Sequence, residues 1–436
     1  MTGPARSAPG TARTIRVGAL TRVEGEGALH VELRDGVPEV VELNIYEPPR
    51  FFEAFLRGRA YTEPPDLTAR ICGICPVAYQ VSACNAIESL CGVTLDPDLM
   101  ALRRLLYCGE WIHSHALHIY MLHAPDFLGA PDIITVAREH RREVERGLAL
   151  KKAGNRLMEL VGGRSIHPIN VRVGGFYSVP SRADMALMAE QLRAALDDAL
   201  ATVSWVAGFD FPDLRVDHEM LALTGERYAI EDGTIARSAG PGFGIDRFTE
   251  HVRETQVPHS TALHATLDGR PHLTGPLARY TLNHHQLSPL AREAARAAGL
   301  GTECRNPFRS IIVRAVEVVY AVEEALRILD EYQPPRRPFV DLEPRAGVGH
   351  GVSEAPRGLL YHRYEIDSDG LVTGATIVPP TSQNQAAIEG DLGKVVLAGA
   401  GLDDGELTSL CERAIRNYDP CISCATHFLT LTVRRR

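Results

Sequence analysis

The chain has 436 residues and a formal net charge of −9, from 46 lysines and arginines against 55 aspartates and glutamates. Hydrophobic residues make up 45% and charged residues 23%, which are globular values and exclude a largely disordered chain. The acidic balance argues against nucleic acid as a partner, because a protein that binds a phosphate backbone needs a basic face.

The first predicted elements are a flexible N-terminal arm and a β-hairpin. Residues 1–13 carry glycine, proline, alanine and arginine but no apolar stretch, so we expect an arm rather than a secretion signal. Residues 14–47 alternate between polar and apolar side chains, and Asp35-Gly36 is a typical turn sequence between two strands.

Long helices are predicted for the middle of the chain. Apolar spacing favours helices over 77–91, 99–123, 136–161, 182–206, 309–332 and 405–417. A second hairpin is predicted over 361–378, around Ser368-Asp369-Gly370, and the proline-rich residues 378–380 predict a rigid turn. Strands and helices do not alternate, so we expect an α+β fold: predominantly long helices in a central bundle, with strand pairs near the chain ends. No boundary divides residues 14–427, and no apolar run is long enough for a membrane span.

Two Cys-x-x-Cys pairs carry the strongest chemical signal. Cys72-Gly73-Ile74-Cys75 lies in the first part of the chain, and Cys421-Ile422-Ser423-Cys424 lies near its end, three residues before His427. Each pair places two thiols on one side of a tight turn, so the two pairs together can supply four soft ligands to zinc, iron or nickel. A structural zinc site remains an alternative, although zinc ribbons place their pairs about 15–20 residues apart. A redox dithiol would need only one pair.

The other five cysteines do not match the spacing of an iron–sulfur motif. We expect them to be small buried side chains. They are Cys84, Cys91, Cys108, Cys304 and Cys411.

With their flanking residues, the two pairs resemble the large subunit of nickel–iron hydrogenases. The resemblance runs from about Gly18 to His427 and includes Arg22-Val23-Glu24-Gly25, Gly162-Gly163-Arg164 and Pro356-Arg357-Gly358. The runs Ile112-His113-Ser114-His115-Ala116-Leu117 and Leu273-Thr274-Gly275-Pro276-Leu277-Ala278-Arg279 are similar to the cytoplasmic, bidirectional, NAD(P)-linked branch of sulfhydrogenase type.

The resemblance implies a nickel–iron centre whose iron carries carbon monoxide and cyanide. It implies that Cys72 and Cys421 are terminal nickel ligands and that Cys75 and Cys424 bridge the two metals. It also implies a set of residues around the diatomic ligands, in which a guanidinium and a hydroxyl donate to cyanide and a carboxylate orients the guanidinium. These residues are Pro356, Arg357, Pro380, Thr381 and Asp419.

Two further roles follow from the same resemblance. Glu24 matches the glutamate that takes a proton onward from Cys421 after the heterolytic cleavage of H2. Glu53 and His427 match ligands of a separate Mg²⁺ ion, for which a carboxylate is the more usual ligand than an imidazole.

The resemblance also implies partners, because the chain carries no iron–sulfur motif and no dinucleotide-binding loop. Electrons would pass to a small subunit with iron–sulfur clusters and then to diaphorase subunits that bind FAD and NADP or NAD. Nickel-insertion proteins and a maturation endopeptidase would complete the centre and remove residues 428–436; an ordinary C-terminal strand is the alternative for this tail. The expected location is the cytoplasm.

Two positions depart from the family pattern, and two other functions stay open. Tyr79 stands where the first motif often continues to histidine, and Ser114 stands where many membrane-bound relatives have aspartate. His115 and His118 are spaced for a metal, but we expect satisfied core or interface histidines. One alternative function is a non-catalytic structural subunit, like the related large subunit of NADH–quinone oxidoreductase, which lacks the four cysteines. The other is a zinc-stabilised binding module.

Overall fold

The N-terminal part of the chain is an antiparallel sheet with the order β1-β2-β3, formed by β1 (Ala12–Val17), β2 (Gly27–Arg34) and β3 (Val37–Ile45). The computed structural model describes residues 12–427. Asp35 and Gly36 form the turn between β2 and β3 with φ of 53° and 78°, as predicted for the hairpin. The first predicted run is in fact two strands, and β1 already includes the last two residues of the predicted arm; the rest of the arm lies outside the described residues.

Helices dominate the remainder of the described chain. Those before the middle are α1 (Phe52–Phe55), α2 (Pro64–Thr68), α3 (Pro76–Cys91), α4 (Pro97–Leu117), α5 (Ala124–Phe127), α6 (Ile133–Glu139), α7 (Arg141–Gly162) and α8 (Arg182–Ala207). Those after it are α9 (Phe248–His251), α10 (Pro276–Asn283), α11 (Pro289–Ala297), α12 (Ser310–Glu331), α13 (Pro380–Ala398), α14 (Asp404–Arg416) and α15 (Ile422–Ala425).

The long helices α4, α7, α8 and α12 form the central bundle that the sequence predicts. Helices α4 and α7 approach each other closely at Gly154. A Cβ at this position would lie only 2.6 Å from the backbone nitrogen of His113 on α4. Most side chains of α12 are buried, including all of those from Ser310 to Val322, and many of them belong to the largest hydrophobic cluster.

Three predicted elements have different bounds from those expected. The predicted helix over 99–123 is α4 followed by a π-helical segment, His118–His123. The predicted helix over 136–161 is two helices, α6 and α7, which are separated by His140 with φ −123° and ψ 45°. The predicted rigid turn at 378–380 instead opens α13, since Pro380 occupies the first helical position, where its missing N–H costs nothing.

Small sheets complete the fold. The short strands are β4 (Val171–Arg172), β5 (Gly175–Phe176), β6 (Glu219–Thr224), β7 (Thr234–Arg237), β8 (Val252–Thr255), β9 (His264–Leu267) and β10 (His272–Leu273). A second antiparallel sheet with long strands has the order β11-β12-β13, from β11 (Gly347–Ala355), β12 (Gly358–Ile366) and β13 (Val372–Val378). This confirms the second predicted hairpin and adds β11, which packs against α3.

The C-terminal segment lies against residues from the N-terminal part of the chain. The Ile422 N–H donates to the carbonyl of Glu24 at 3.0 Å, and the Arg50 N–H donates to the carbonyl of Thr426 at 2.8 Å. These bonds hold α15 beside the connection between β1 and β2 and beside the segment that follows β3. Within residues 12–427, no helix combines the length and apolar character needed to cross a membrane.

Candidate metal centre

The first Cys-x-x-Cys pair lies at the entrance to α3. Cys72 is extended and follows a 3-10 turn, and Cys75 is the residue directly before Pro76, the first residue of the helix. The Ile74 N–H donates to Cys72 Sγ at 3.3 Å, which favours a thiolate at this position. Helix α3 is largely buried, so Cys75 is held at the end of a rigid element, with Cys72 in the turn that leads into it.

The second pair is held by the C-terminal segment. Cys421 pairs with Glu24 in an isolated parallel bridge, and its N–H donates to Thr381 Oγ1 at 3.0 Å. Cys424 lies on α15. Asp419, two residues before the pair, has a positive φ of 50°, which turns the chain towards the site.

All four cysteines meet at one buried point. The sulfurs of Cys72 and Cys421 are 3.4 Å apart, those of Cys75 and Cys424 are 3.7 Å apart, and all four lie within 4.8 Å of one another. Burial raises the pKa of the Cys421 thiol well above its usual range, whereas hydrogen bonds from the other three thiols lower the pKa of Cys72. Four thiols this close cannot all ionise by themselves, so a metal that displaces their protons fits the donor set.

A buried guanidinium lies beside the four sulfurs. Arg357 donates from Nε to the carbonyl of Asp419 at 2.9 Å and from Nη2 to Asp419 Oδ1 at 3.2 Å. Its Nη1 has no hydrogen-bond partner among the described residues, and neither has Asp419 Oδ2. A buried donor without a partner is costly, so Nη1 indicates a position for an acceptor that the protein itself does not supply.

Glu24 brings a carboxyl group to the edge of the cluster. Its Oε2 accepts from the Ser423 N–H at 3.1 Å, beside Cys421. Burial raises the pKa of Glu24, and the negative charge of a Cys72 thiolate raises it further. The group can therefore hold a proton more readily than an exposed glutamate.

Glu53 and His427 lie together on another side of the C-terminal segment. His427 Nε2 is 3.9 Å from Glu53 Oε1 and 2.7 Å from the carbonyl oxygen of Ile377, whose N–H donates to Glu53 Oε1 at 2.8 Å. Burial raises the pKa of Glu53 to about 7. Sequence reasoning missed Glu254, a half-buried neighbour on β8 whose pKa is raised to about 8 by desolvation and by the charge of Glu53.

Sequence reasoning also missed Glu110, a buried carboxylate on α4. It accepts from the Val77 N–H at 2.6 Å and from the Ala78 N–H at 3.1 Å, so it satisfies two free donors at the start of α3. An acidic residue inside the mostly apolar helix 99–123 was the available signal. Glu110 thereby fixes the helix end that carries Cys75.

The remaining cysteines and the helical histidines lie where the sequence predicts. The five other thiols are buried outside the cluster. Both histidines are buried in the core: His118 Nε2 is 2.8 Å from the carbonyl oxygen of Arg416. His115 Nε2 lies 2.9 Å from Glu317 Oε2, but neither ring nitrogen of His115 has hydrogen-bond geometry to a partner among the described residues. Tyr79 is buried near Cys424, and its hydroxyl has no partner by distance and angle among the described residues.

Comparison with known proteins identifies the family of this centre. Residues 50–146 and 258–427 match the nickel-dependent hydrogenases, and the matched ranges contain all four cysteines. The chain belongs to the nickel-dependent hydrogenase family. It is a large subunit of that family and a hydrogenase, an enzyme that oxidises or produces H2. This assignment favours neither of the alternatives, the structural subunit or the zinc-stabilised module.

The similarity covers nearly the whole chain. The alpha subunit of sulfhydrogenase 1 from Pyrococcus furiosus is 34% identical over 96% of this chain and 98% of its own length. A chain of an F420-non-reducing hydrogenase from Methanothermobacter marburgensis is 30% identical over 95% of each of the two sequences. Among solved hydrogenases, an NAD⁺-reducing [NiFe]-hydrogenase in the H2-reduced state superposes with a TM-score of 0.86 at 27% identity, covering 96% of this chain and 100% of the other. The predicted hydrogenase large-subunit fold is therefore confirmed.

Proposed function

We propose that this hydrogenase cleaves H2 reversibly at a nickel–iron centre held by the four cysteines. The observation that carries the proposal is the meeting of four buried thiols, two from each Cys-x-x-Cys pair, within 4.8 Å. We assign Cys72 and Cys421 as terminal nickel ligands and Cys75 and Cys424 as bridging ligands. When bound, such a centre supplies the soft electrophilic metals at which H2 is split heterolytically.

The residues around the cluster suit an iron that carries carbon monoxide and cyanide. Arg357 offers Nη1, a buried donor with no partner among the described residues, and Asp419 fixes the guanidinium plane through two hydrogen bonds. Thr381 accepts from the Cys421 N–H through Oγ1, so its own hydroxyl proton can donate to a second cyanide. Pro356 and Pro380 would add apolar surface around the diatomic ligands, and as prolines they have no backbone N–H that could compete as a donor.

Glu24 is the proposed proton acceptor beside Cys421. Its carboxyl group is anchored by the Ser423 N–H, next to the terminal cysteine that would first receive the proton. Because burial raises its pKa, the carboxyl group takes up a proton more readily than an exposed glutamate, as a proton-transfer group requires. Glu24 would therefore be the first group on the proton route that leads away from the cluster.

We further propose that Glu53 and His427 bind Mg²⁺, with the carbonyl oxygen of Ile377 beside them. Glu53 and Glu254 are two half-buried carboxyl groups whose pKa values are raised by desolvation, and a divalent cation would offset the cost of ionising both. The ion would join α1, β13 and the last described residue. It would therefore hold the C-terminal segment against the cluster.

The partners and the electron acceptor extend the same proposal. The relatives include sulfhydrogenase alpha subunits, an NAD⁺-reducing enzyme and F420-non-reducing enzymes, so the family alone leaves the acceptor open. We infer that electrons pass to a small subunit with iron–sulfur clusters, then to FAD-containing diaphorase subunits and NADP or NAD, in the cytoplasm. Residues 428–436 lie outside the described residues; we propose that an endopeptidase removes them after nickel-insertion proteins have acted.

Infrared spectroscopy of the complex purified from nickel-replete cells tests the proposal. We expect bands of bound carbon monoxide and cyanide, equal amounts of nickel and cluster iron, and a large subunit that ends at His427 by mass spectrometry. Cys424→Ser should abolish the bands and leave residues 428–436 attached.

The matched control is Cys304→Ser, because this buried thiol lies outside the cluster and donates to the carbonyl of Asn306, as a serine also could. Nickel-replete wild-type protein without the diatomic bands would refute the nickel–iron assignment. A Cys424→Ser chain that ends at His427 would refute the link between cluster assembly and removal of the tail.

A further inference from the structure

We propose that His259, His264 and Glu389 bind a divalent metal ion of the zinc class, at a site separate from the cysteine cluster. His259 lies in the loop before β9, His264 is the first residue of β9, and Glu389 lies on α13. One potential ligand atom from each residue lies within 4.8 Å of the other two. The proposed site does not depend on the nickel–iron assignment.

The distances fit a small tetrahedral ion. His259 Nε2 is 2.8 Å from Glu389 Oε1, and His264 Nδ1 is 3.8 Å from Glu389 Oε2. Zinc bonds to nitrogen and oxygen of about 2.0–2.1 Å place neighbouring tetrahedral ligands about 3.3 Å apart. The two observed distances lie on either side of this separation, so small side-chain rotations would complete the geometry. Two imidazoles and one carboxylate leave a fourth position for water.

His264 directs a buried ring nitrogen towards the same carboxylate. Its side chain is only 7% exposed, and Nδ1 is the ring nitrogen that faces Glu389, 3.8 Å from Oε2. This distance is too long for a hydrogen bond but is close to the separation of two ligands around one ion. Nδ1 is therefore the nitrogen of His264 that would coordinate.

The surroundings fix Glu389 and place a second carboxylate near His259. Glu389 Oε1 accepts from the Leu43 N–H at 2.9 Å, which fixes the carboxylate. Glu42 Oε1 lies 3.8 Å from Nδ1 of His259, the ring nitrogen that does not face Glu389. At this distance Glu42 makes no hydrogen bond to the ring, but its negative charge faces the non-coordinating nitrogen. A simple histidine–glutamate hydrogen bond would explain His259 but not the approach of the buried His264 to the same carboxylate.

The position of the site indicates its role. An ion here would join the loop before β9, β9 itself and α13, and Glu389 also bonds β3. Glu389 follows Thr381 by eight residues on α13, or about 12 Å along the helix. The ion would therefore brace the helix whose first turn reaches the cysteine cluster, without belonging to that cluster.

Zinc binding to the purified, chelator-treated complex tests this site. Titration with Zn²⁺, followed by calorimetry, should show one equivalent bound per large subunit at micromolar concentration or below, with a rise in the thermal midpoint. Substituting Co²⁺ should give the visible absorption of a tetrahedral nitrogen and oxygen site. His264→Gln and Glu389→Gln should each weaken zinc binding by more than about 100-fold.

His218→Gln is the matched control, because His218 pairs with Asp391 on the same helix, at 2.8 Å, but is not part of the three-residue group. This variant should bind zinc as the wild type does. If the buried His264 variant does not fold, His259→Gln replaces it, since His259 is more exposed. Binding only at millimolar zinc, or tight binding that persists in both the Glu389 and His259 variants, would overturn the proposal.

Discussion

Two fully buried arginines, Arg279 and Arg357, illustrate the difference between a structural and a functional polar group. Arg279 is saturated with acceptors: it donates to both oxygens of Glu317, to Glu354 and to the carbonyls of Ala355 and Pro356. Arg357 donates only to Asp419 and leaves Nη1 without a partner among the described residues. The two guanidinium groups are similarly buried, but the nitrogens of Arg279 all have acceptors whereas one nitrogen of Arg357 has none among the described residues.

The carboxylates near the two arginines repeat this contrast. Burial opposes ionisation of Glu317, but Arg279 overcomes it and lowers the pKa to about 2, and Glu317 also accepts from the hydroxyl of Tyr228 at 2.9 Å. Glu24 accepts one backbone hydrogen bond beside the thiols, and burial raises its pKa. A carboxylate that must stay charged is surrounded by donors, whereas one that must exchange protons is left with few. The comparison predicts different consequences for substitutions in the two regions.

The substitution Glu24→Gln is expected to have the largest effect, a loss of H2 turnover. The amide keeps the size of the side chain but cannot accept a proton, so H2 oxidation should fall roughly 100- to 10,000-fold. Nickel and iron contents and the infrared bands should stay at wild-type values. Glu26→Gln, two residues away and outside the cluster, serves as the control and should be fully active. Near-normal turnover in Glu24→Gln would contradict the proton role.

Arg279→Met should chiefly affect stability. It leaves Glu317 buried without its main partner, which costs about 3–5 kcal/mol of unfolding free energy. Denaturant titration of the purified complex measures the loss, and Arg247→Met, in an exposed pair with Glu250, should change stability by less than about 0.5 kcal/mol. A loss below about 1 kcal/mol in the Arg279 variant would show that the pair is not a structural anchor.

The difference in stability between the wild type and Arg279→Met should decrease at acid pH. Because the pKa of Glu317 is lowered to about 2 in the folded chain, from 4.5, its stabilisation is complete above pH 4.5 and is lost as the pH falls towards 2. The stability difference between wild type and Arg279→Met should therefore narrow over that range. A difference that grows on acidification would contradict the assigned pairing.

The sequence predicts the elements of this fold whose signals are local. The Asp35-Gly36 turn and the apolar spacing of α8 and α12 depend on neighbouring residues, and these elements form as predicted. The run that opens α13 is polar and begins with proline, which is typical of a turn. It becomes helical and buried because distant segments pack around it.

The same limit applies to the site. The spacing of the two cysteine pairs indicates a metal centre, and the resemblance adds Glu24, Glu53 and Arg357. Glu254 carries no comparable signal, because an acidic residue on a short strand is ordinarily exposed, and only the packing around β8 half-buries it beside Glu53. Nor do local patterns distinguish Arg279 from Arg357, since their carboxylate partners Glu354 and Asp419 lie 75 and 62 positions away along the chain.

The smallest expected effect separates the two arginines most directly. Arg357→Lys keeps the positive charge but removes the free Nη1 donor, and the loss of one charge-assisted hydrogen bond of about 1.5–3 kcal/mol corresponds to roughly 10- to 100-fold in turnover. The cyanide bands should shift, because cyanide frequencies respond to a lost donor, while the complex still assembles. Arg279→Lys should show the reverse: lower stability and unmoved cyanide bands. If the bands of Arg357→Lys stay in place, Arg357 acts only through Asp419, and its unpartnered nitrogen would not mark the ligand position.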